Sequence, residues 1–579
     1  MSQPSTMSDP DGPAAMLKAA GLLNEQQYQL VLRRCQSHNT PEHRAAVDLS
    51  FVSEEDAWHA LAEHRRMEYV PIEDIHVERN VLESIPLKLI LHYKMVPLDR
   101  TEGRIRMAFG EPPSRQNLGS LQLLLGSSIN PVLATPSALN QIIRQHFGLG
   151  AESVQKLGED SEFEDAGGEA VFDVTEKKDD EEFINTTIAT FVDQILAEAL
   201  KMRATDVHIE PYKSSIRLRY RVDGIMQTVP VPPNVRQLHS AIVSRIKVMA
   251  ALNIAEKRLP HDGRIAMKTG NEEYDLRVSV MPTKHGEAVC LRILGRQSLY
   301  LDLSELGLEP EQEKLYTQLT RLPQGLILVT GPTGSGKTTS LYAGLAKAND
   351  ATRKTITIED PVEYQLPGAT QIQVHPEIGL SFARGLRSIL RHDPDIVLVG
   401  EIRDAETAEI AVRAAQTGHL VFSTLHTNDS ASAVIRLIEM GIDPFLVSSS
   451  LVCSMAQRLL RRNCPHCSEP DTHASEALRK ELAGYFDIDP QSFQPMKGTG
   501  CEACNDTGYQ GRVAIYEFFL VDDEIADLIE PGVKTGTLRR TSREHGQWDL
   551  RKSAFNKVLK GVSSFDEADR ITRRVDLVS

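Results

Sequence analysis

The period of the apolar positions changes along this chain, and each change marks a boundary. Within 16–150, Ser53 stands before an acidic turn (Glu54, Glu55, Asp56) and an Ala/Leu/His run, which predicts a capped helix start. The segment 104–109, RIRMAF, alternates apolar with polar and predicts a strand. These features predict a compact α/β module behind a short polar start, rich in Pro and Gly and expected to be disordered. From 151 to 182 large apolar side chains are scarce, and 13 acidic residues face 3 basic ones, a net of −10 (3 − 13). That composition cannot bury enough surface to fold and predicts a flexible linker. Helical periodicity then returns: Ile184, Ile188, Phe191, Val192 and Ile195 form one apolar stripe. In SSIRLRYRVDG, Ile216, Leu218, Tyr220 and Val222 alternate with Arg217, Arg219 and Arg221. This strand has one apolar and one basic face, and the Asp-Gly after it predicts a hairpin.

Beyond 303 the pattern changes again. Continuous apolar runs, GLILVT (325–330), TITIE (355–359), DIVLVG (395–400) and HLVFSTL (419–425), alternate with helical stretches. Strands that read this way are buried on both faces of a parallel sheet. The expected fold class is α/β. The expected division is an N-terminal module at 1–150, an acidic linker at 151–183 and an α+β domain at 184–302. A nucleotide-binding core at 303–460, a cysteine-flanked module at 461–515 and a helical region at 516–579 follow.

Charge narrows the partners. The formal net charge is −16, whereas a general nucleic-acid binder needs a basic surface. The linker supplies −10 of it, so the rest is nearly balanced. A nucleic-acid motor is therefore disfavoured, and no nucleic-acid partner is expected. No run reaches 18 apolar residues, so no membrane span is expected. The start, MSQPSTMSDPDGPAAM, has no basic segment followed by an apolar one, so no secretory signal is expected either. A reducing cytosol follows, where paired cysteines hold metal more readily than they form disulfides.

The chemistry centres on 331–339. Gly331, Pro332, Thr333, Gly334, Ser335, Gly336, Lys337 and Thr338 match G-x-x-x-x-G-K-[ST], with Thr339 following, between a predicted strand and a predicted helix. The glycines let successive N–H groups curl around phosphate oxygens at a helix N-terminus. Lys337 is expected to reach the β/γ phosphates of ATP, and Thr338 to ligate Mg²⁺. A glycine-rich turn before a helix shares part of this pattern, but the full motif in context selects the phosphate loop. Glu401 ends one core strand, with Gly400 where many such proteins carry Asp. Glu359 and Asp360 end another. Acids there lie in the crevice where α/β sheets bind ligands, and two of them can divide metal binding from water orientation.

Four of the seven cysteines form two C-x-x-C pairs, Cys464/Cys467 and Cys501/Cys504, separated by 33 residues. This spacing fits a closed tetrahedral Zn²⁺ site, structural in kind, with His466 a bystander.

In this order, these motifs resemble the secretion ATPase superfamily, which includes the type II secretion ATPase and the type IV pilus extension and retraction motors. TITIEDPVEY looks like its acidic box, DPDIVLVGEIRD its Walker B segment and TGHLVFSTLHTN its histidine box, with His419 and His426. The resemblance covers about 184–579. It implies a RecA-like P-loop core behind a PAS-like α+β domain, an N-terminal adaptor domain and a tetracysteine zinc insert. It implies Glu359 as general base, Glu401 as Mg²⁺ and γ-phosphate support, and His426 as γ-phosphate sensor or bridge between subunits. Arg277 and Arg292 look like its paired arginine fingers, with Arg221 and Arg264 as accessory arginines. It also implies a homohexamer, a cytoplasmic location at the inner membrane, and two partners: a platform protein and the cytoplasmic domain of a docking protein. The cysteine insert and long N-terminal region favour a type II secretion motor, with pilus extension as the alternative. Segments 19–34 and 43–58 diverge from the Arg-Leu-Gly pattern of relatives that bind cyclic di-GMP, so that ligand is not predicted.

Overall fold

A computed structural model describes residues 12–149, 178–295 and 302–573, apart from positions 39, 102, 233 and 271. The chain forms two compact units. One comprises Met1–Val222, Met226–Ile265 and Leu276–Ile293; the other comprises Asp223–Ile225, Ala266–Asp275 and Leu294–Ser579. Among the described residues no helix is long and apolar enough to cross a membrane.

The first unit begins with four helices, Pro13–Ala19, Glu25–His38, Glu42–Asp48 and Glu54–Arg65. Ser53 caps the last of these by accepting from the Asp56 N–H at 3.1 Å, as its position before the acidic turn predicts. Trp58 is 2% exposed and donates its indole N–H to the Gly110 carbonyl at 2.7 Å, tying the helices to the sheet module behind them. That module has four strands in the order 68–69, 128–133, 104–109, 95–101.

The stripe read around 184–195 belongs to a helix, Lys178–Lys201, that starts earlier than its apolar period. Ile188, Phe191, Val192 and Ile195 are buried along it. The rest of the acidic stretch, 151–177, lies outside the described residues. A six-stranded sheet follows, in the order 225–229, 216–222, 204–211, 286–295, 272–283, 261–269. On Ile216–Val222 the apolar residues point inward and the arginines outward. Asp223 and Gly224 then take φ of 48° and 85°, the left-handed pair a two-residue hairpin turn demands.

The second unit is built on one large sheet. Its strands are β1 (Gly325–Thr330), β2 (Thr355–Glu359), β3 (Ala369–Gln373), β4 (Ile396–Val399), β5 (Leu420–Leu425), β6 (Leu451–Asn463) and β7 (Tyr509–Leu520). They lie in the order β3-β2-β4-β5-β1-β6-β7. Every pairing from β3 to β6 is parallel, and β7 returns antiparallel along β6. Each residue of β1, β2, β4 and β5 is buried, which is why these strands read as unbroken apolar runs. Their period of two divides them between two cores. Leu326, Leu328, Val397, Val399 and Val421 pack on one face. Ile327, Val329, Leu398, Leu420 and Phe422 pack on the other. Each such side chain contributes about 1.5–3 kcal/mol by leaving water.

Helix α1 (Lys337–Ala348) leaves the end of β1, and the acids close β2 and follow β4 at the same edge. A smaller core around Leu460, Leu482, Ile515, Phe555, Val558 and Phe565 joins the ribbon β6–β7 to the C-terminal helices. Within it Glu567 is fully buried. It accepts from the Arg461 and Arg570 guanidinium groups at 2.8 and 2.6 Å.

Candidate active site

The loop between β1 and α1 is shaped by its glycines. Gly331 and Gly336 hold φ of 148° and 87°, which favours a residue without Cβ. Space forbids one as well. A Cβ on Gly331 would stand 2.7 Å from the Gln457 carbonyl oxygen, and one on Gly336 2.8 Å from the Gln457 side-chain nitrogen. Thus β6 presses against the loop and keeps its backbone open for an oxyanion. Lys337 donates to the carbonyls of Gly331 and Pro332 at 2.9 and 3.0 Å. Burial pushes its ammonium pKa down; Glu401 opposes the shift and Arg458 adds to it.

The two glutamates differ in surroundings. Glu359, at the end of β2, is 4% exposed. One oxygen accepts from Thr357 Oγ1 at 2.6 Å and Gln371 Nε2 at 3.2 Å; the other accepts from the Tyr342 hydroxyl on α1. Burial, and then the Glu359 bond, push the Tyr342 hydroxyl far above its ordinary range, so it stays a donor. Glu401 follows β4 and pairs with Arg403, whose guanidinium also lies 3.6 Å from Asp360. His426 Nε2 lies 3.5 Å from the other Glu401 oxygen. Arg403 therefore bridges the acids of the two strand ends, and His426 closes the group from β5.

Gly400 has a spatial reason. A Cβ there would lie 3.3 Å from both the Glu359 Cα and the Ile358 carbonyl oxygen, because β2 and β4 approach closely at this point. The acid accordingly stands one position later, at Glu401. His419 bonds through Nδ1 to the Ala414 carbonyl at 3.0 Å and finishes the helix before β5, apart from the carboxylates.

The first unit carries its own cationic pocket. Arg264, Arg277 and Arg292 sit on three strands of the six-stranded sheet and line a cavity of about 440 Å³ with Asp262, Ser279 and Cys290. Buried Asp206 accepts from Arg292 Nε at 3.0 Å and lies 3.6 Å from Arg221. One pocket arginine, Arg292, is thus anchored by a carboxylate that also faces Arg221, which fixes a guanidinium suited to an anion.

The four cysteines converge. Cys464, Cys467, Cys501 and Cys504 place their sulfurs within 4.8 Å of one another. Three separations are 3.8, 3.9 and 3.7 Å. A tetrahedron with Zn–S bonds of about 2.3 Å has edges of about 3.8 Å, so this donor set fits zinc. Backbone N–H groups of Gly500 and Gly508 point at Cys467 and Cys504 sulfurs, each at 3.3 Å, as thiolates favour.

The type II/IV secretion system protein family matches residues 179–570. This chain belongs to that family. A second family, the MshEN domain, matches 65–153. Among relatives, the type IV pilus assembly ATPase PilB of Myxococcus xanthus is 38% identical over 95% of this chain and 97% of its own. The type II secretion system ATPase E of Vibrio cholerae is 43% identical over 76% of this chain and 85% of its own. The type II secretion system protein HxcR of Pseudomonas aeruginosa is 47% identical over 67% of this chain and 77% of its own. ATP hydrolysis, the activity of the secretion ATPase family, is the activity of this chain, with ATP and Mg²⁺ as its requirements.

In this member of the secretion family, the structure brings Glu359, Glu401 and His426 to the edge that holds the phosphate loop. Arg277 and Arg292 share the pocket of the first unit. Tyr342, Gln371, Arg403 and Arg458 were missed by sequence reasoning. Tyr342 had a signal: it stands four residues after Thr338 on α1, one turn along the same helical face. Arg403 lies in the segment already marked by Glu401, whereas Gln371 and Arg458 come from segments with no local mark of a role.

Proposed function

We propose that this chain is the motor of a type II secretion system. Six copies form a ring, hydrolyse ATP and drive pseudopilus assembly. The observation that carries this reading is the 43–47% identity to type II secretion ATPases over 67–76% of this chain.

In this reading 303–460 is a RecA-like core, 184–302 a PAS-like domain and 1–150 the docking domain. The ring stays cytoplasmic and reaches the inner membrane through a platform protein and the cytoplasmic domain of a docking protein. ATP lies on Gly331–Thr339, with Lys337 at the β/γ phosphates. Thr338 and Glu401 would hold Mg²⁺, which would supply positive charge against the phosphates. Glu359, oriented by its three donors, takes the proton of the attacking water. His426 reads the γ-phosphate through Glu401. Arg277 and Arg292, steadied with Arg264 and Arg221, absorb charge on the transferred phosphate from a neighbouring copy. The cysteine cluster holds Zn²⁺ as a structural clasp.

A second reading, pilus extension, is supported by the near full-length alignment to PilB, which includes the N-terminal region. Deleting the gene tests the two. Loss of exported proteins from the medium, with surface pili retained, is the expected result. Loss of pili with secretion retained would select pilus extension instead.

A further inference from the structure

We propose that Arg458 contacts the phosphates of the bound nucleotide, supplied in cis from the strand beside the phosphate loop. The register of β1 with β6 pairs Thr330 with Ala456. Because the strands run parallel, Gln457 and Arg458 continue past the end of β1, alongside the loop. A Cβ built on Gly331 would stand 3.1 Å from Arg458 Nη1, so the guanidinium borders the loop directly.

Its partners leave the charge unanswered. Nη1 donates to the Gln457 carbonyl at 3.0 Å and Nη2 to the Asn428 carbonyl at 2.7 Å. Both acceptors are neutral, and no carboxylate of the described residues comes within ion-pair distance. Burial lowers the guanidinium pKa, while Glu517 and Asp429 pull it back from farther away. A half-buried guanidinium beside a second cation, Lys337, is costly unless an anion joins them. Five N–H donors in a planar fork suit phosphate oxygens, and two acceptors do not exhaust them.

The bond to Asn428 gives the contact a second consequence. Asn428 follows His426 by two residues. Next to it, Asp429 pairs with Arg539, and the Ser430 N–H donates to Glu517 at 3.0 Å. A guanidinium that turns toward phosphate thus pulls on the segment joining the histidine to the C-terminal helices.

The inference rests on the chain's ATPase activity but reads binding rather than turnover. Arg458→Gln and Arg458→Lys are made in the full chain. MgATP and MgADP affinities are measured by calorimetry, and apparent Tm is followed without nucleotide. Removing a charge-assisted contact weakens binding by about tenfold to hundredfold. Arg458→Gln is expected to weaken both nucleotides by that factor with nucleotide-free Tm unchanged, and Arg458→Lys to recover part of the loss. Wild-type affinity for either nucleotide in Arg458→Gln overturns the proposal, whatever happens to kcat. Equal losses in both variants with a lowered nucleotide-free Tm would assign Arg458 a packing role and overturn it as well.

Discussion

Replacing Glu359 by Gln removes one negative charge while leaving its hydrogen bonds available. The carboxylate meets Tyr342 on one oxygen and Thr357 with Gln371 on the other. A glutamine amide nitrogen placed toward Tyr342 donates to a hydroxyl that can turn to accept. The remaining carbonyl oxygen keeps Thr357 and Gln371 as donors. All three partners survive, so the stability change is within about 1 kcal/mol. What is lost is the base. General base catalysis contributes about 10²–10⁴ in rate, equal to about 3–5 kcal/mol of barrier. Glu359→Gln is therefore expected to bind MgATP as the wild type does and to release phosphate about 10²–10⁴-fold more slowly. Steady-state phosphate release by assembled full-length protein, paired with calorimetric MgATP binding, measures both. A kcat within about threefold of wild type, with binding intact, would show that another group activates the water.

Arg292→Ala is expected to lower kcat by about 10³ while leaving KM for ATP nearly unchanged, read from steady-state kinetics on assembled rings. Metal analysis of the purified chain is expected to find one zinc per chain. Cys501→Ser should lose it and lower the apparent Tm, since structural zinc supplies about 10–16 kcal/mol of apparent binding energy in small domains. For Glu567, burial raises the carboxyl pKa, but Arg570 and Arg461 outweigh it and hold it below the usual 4.5. Its stabilisation is complete above that pH and is lost as the pH falls through the lowered value. Glu567→Gln should cost about 3 kcal/mol in urea unfolding at neutral pH, narrowing below pH 4.5.

Local signals carried much of the fold. Continuous apolar runs placed β1, β2, β4 and β5, and the alternation at 216–222 gave the basic face that the structure displays. The phosphate loop and the two C-x-x-C pairs announced themselves because their chemistry demands fixed residue types at short spacing. The contacts around them arise from strand order, which no local pattern carries. β6 lies against β1 although more than a hundred residues separate them, so nothing local to Arg458 announces its place beside the loop. Arg403 follows Glu401 by two residues, yet its link to Asp360 depends on β2 and β4 being neighbours. Gly400 looked like a missing acid, and only the close approach of β2 shows how tightly a side chain there would be held.

The ribbon β6–β7 has a mechanical consequence. β6 passes the phosphate loop at Arg458 and ends at Asn463, next to Cys464; β7 starts at Tyr509, soon after Cys504. Six residues of strand span about 20 Å. Paired along its length, such a ribbon resists bending and behaves as a spoke. The cysteine cluster is a rivet at the rim, holding together the two ends that the 464–508 excursion would otherwise splay. A small rotation at the phosphate loop would be carried along the ribbon to the cysteines as a larger displacement.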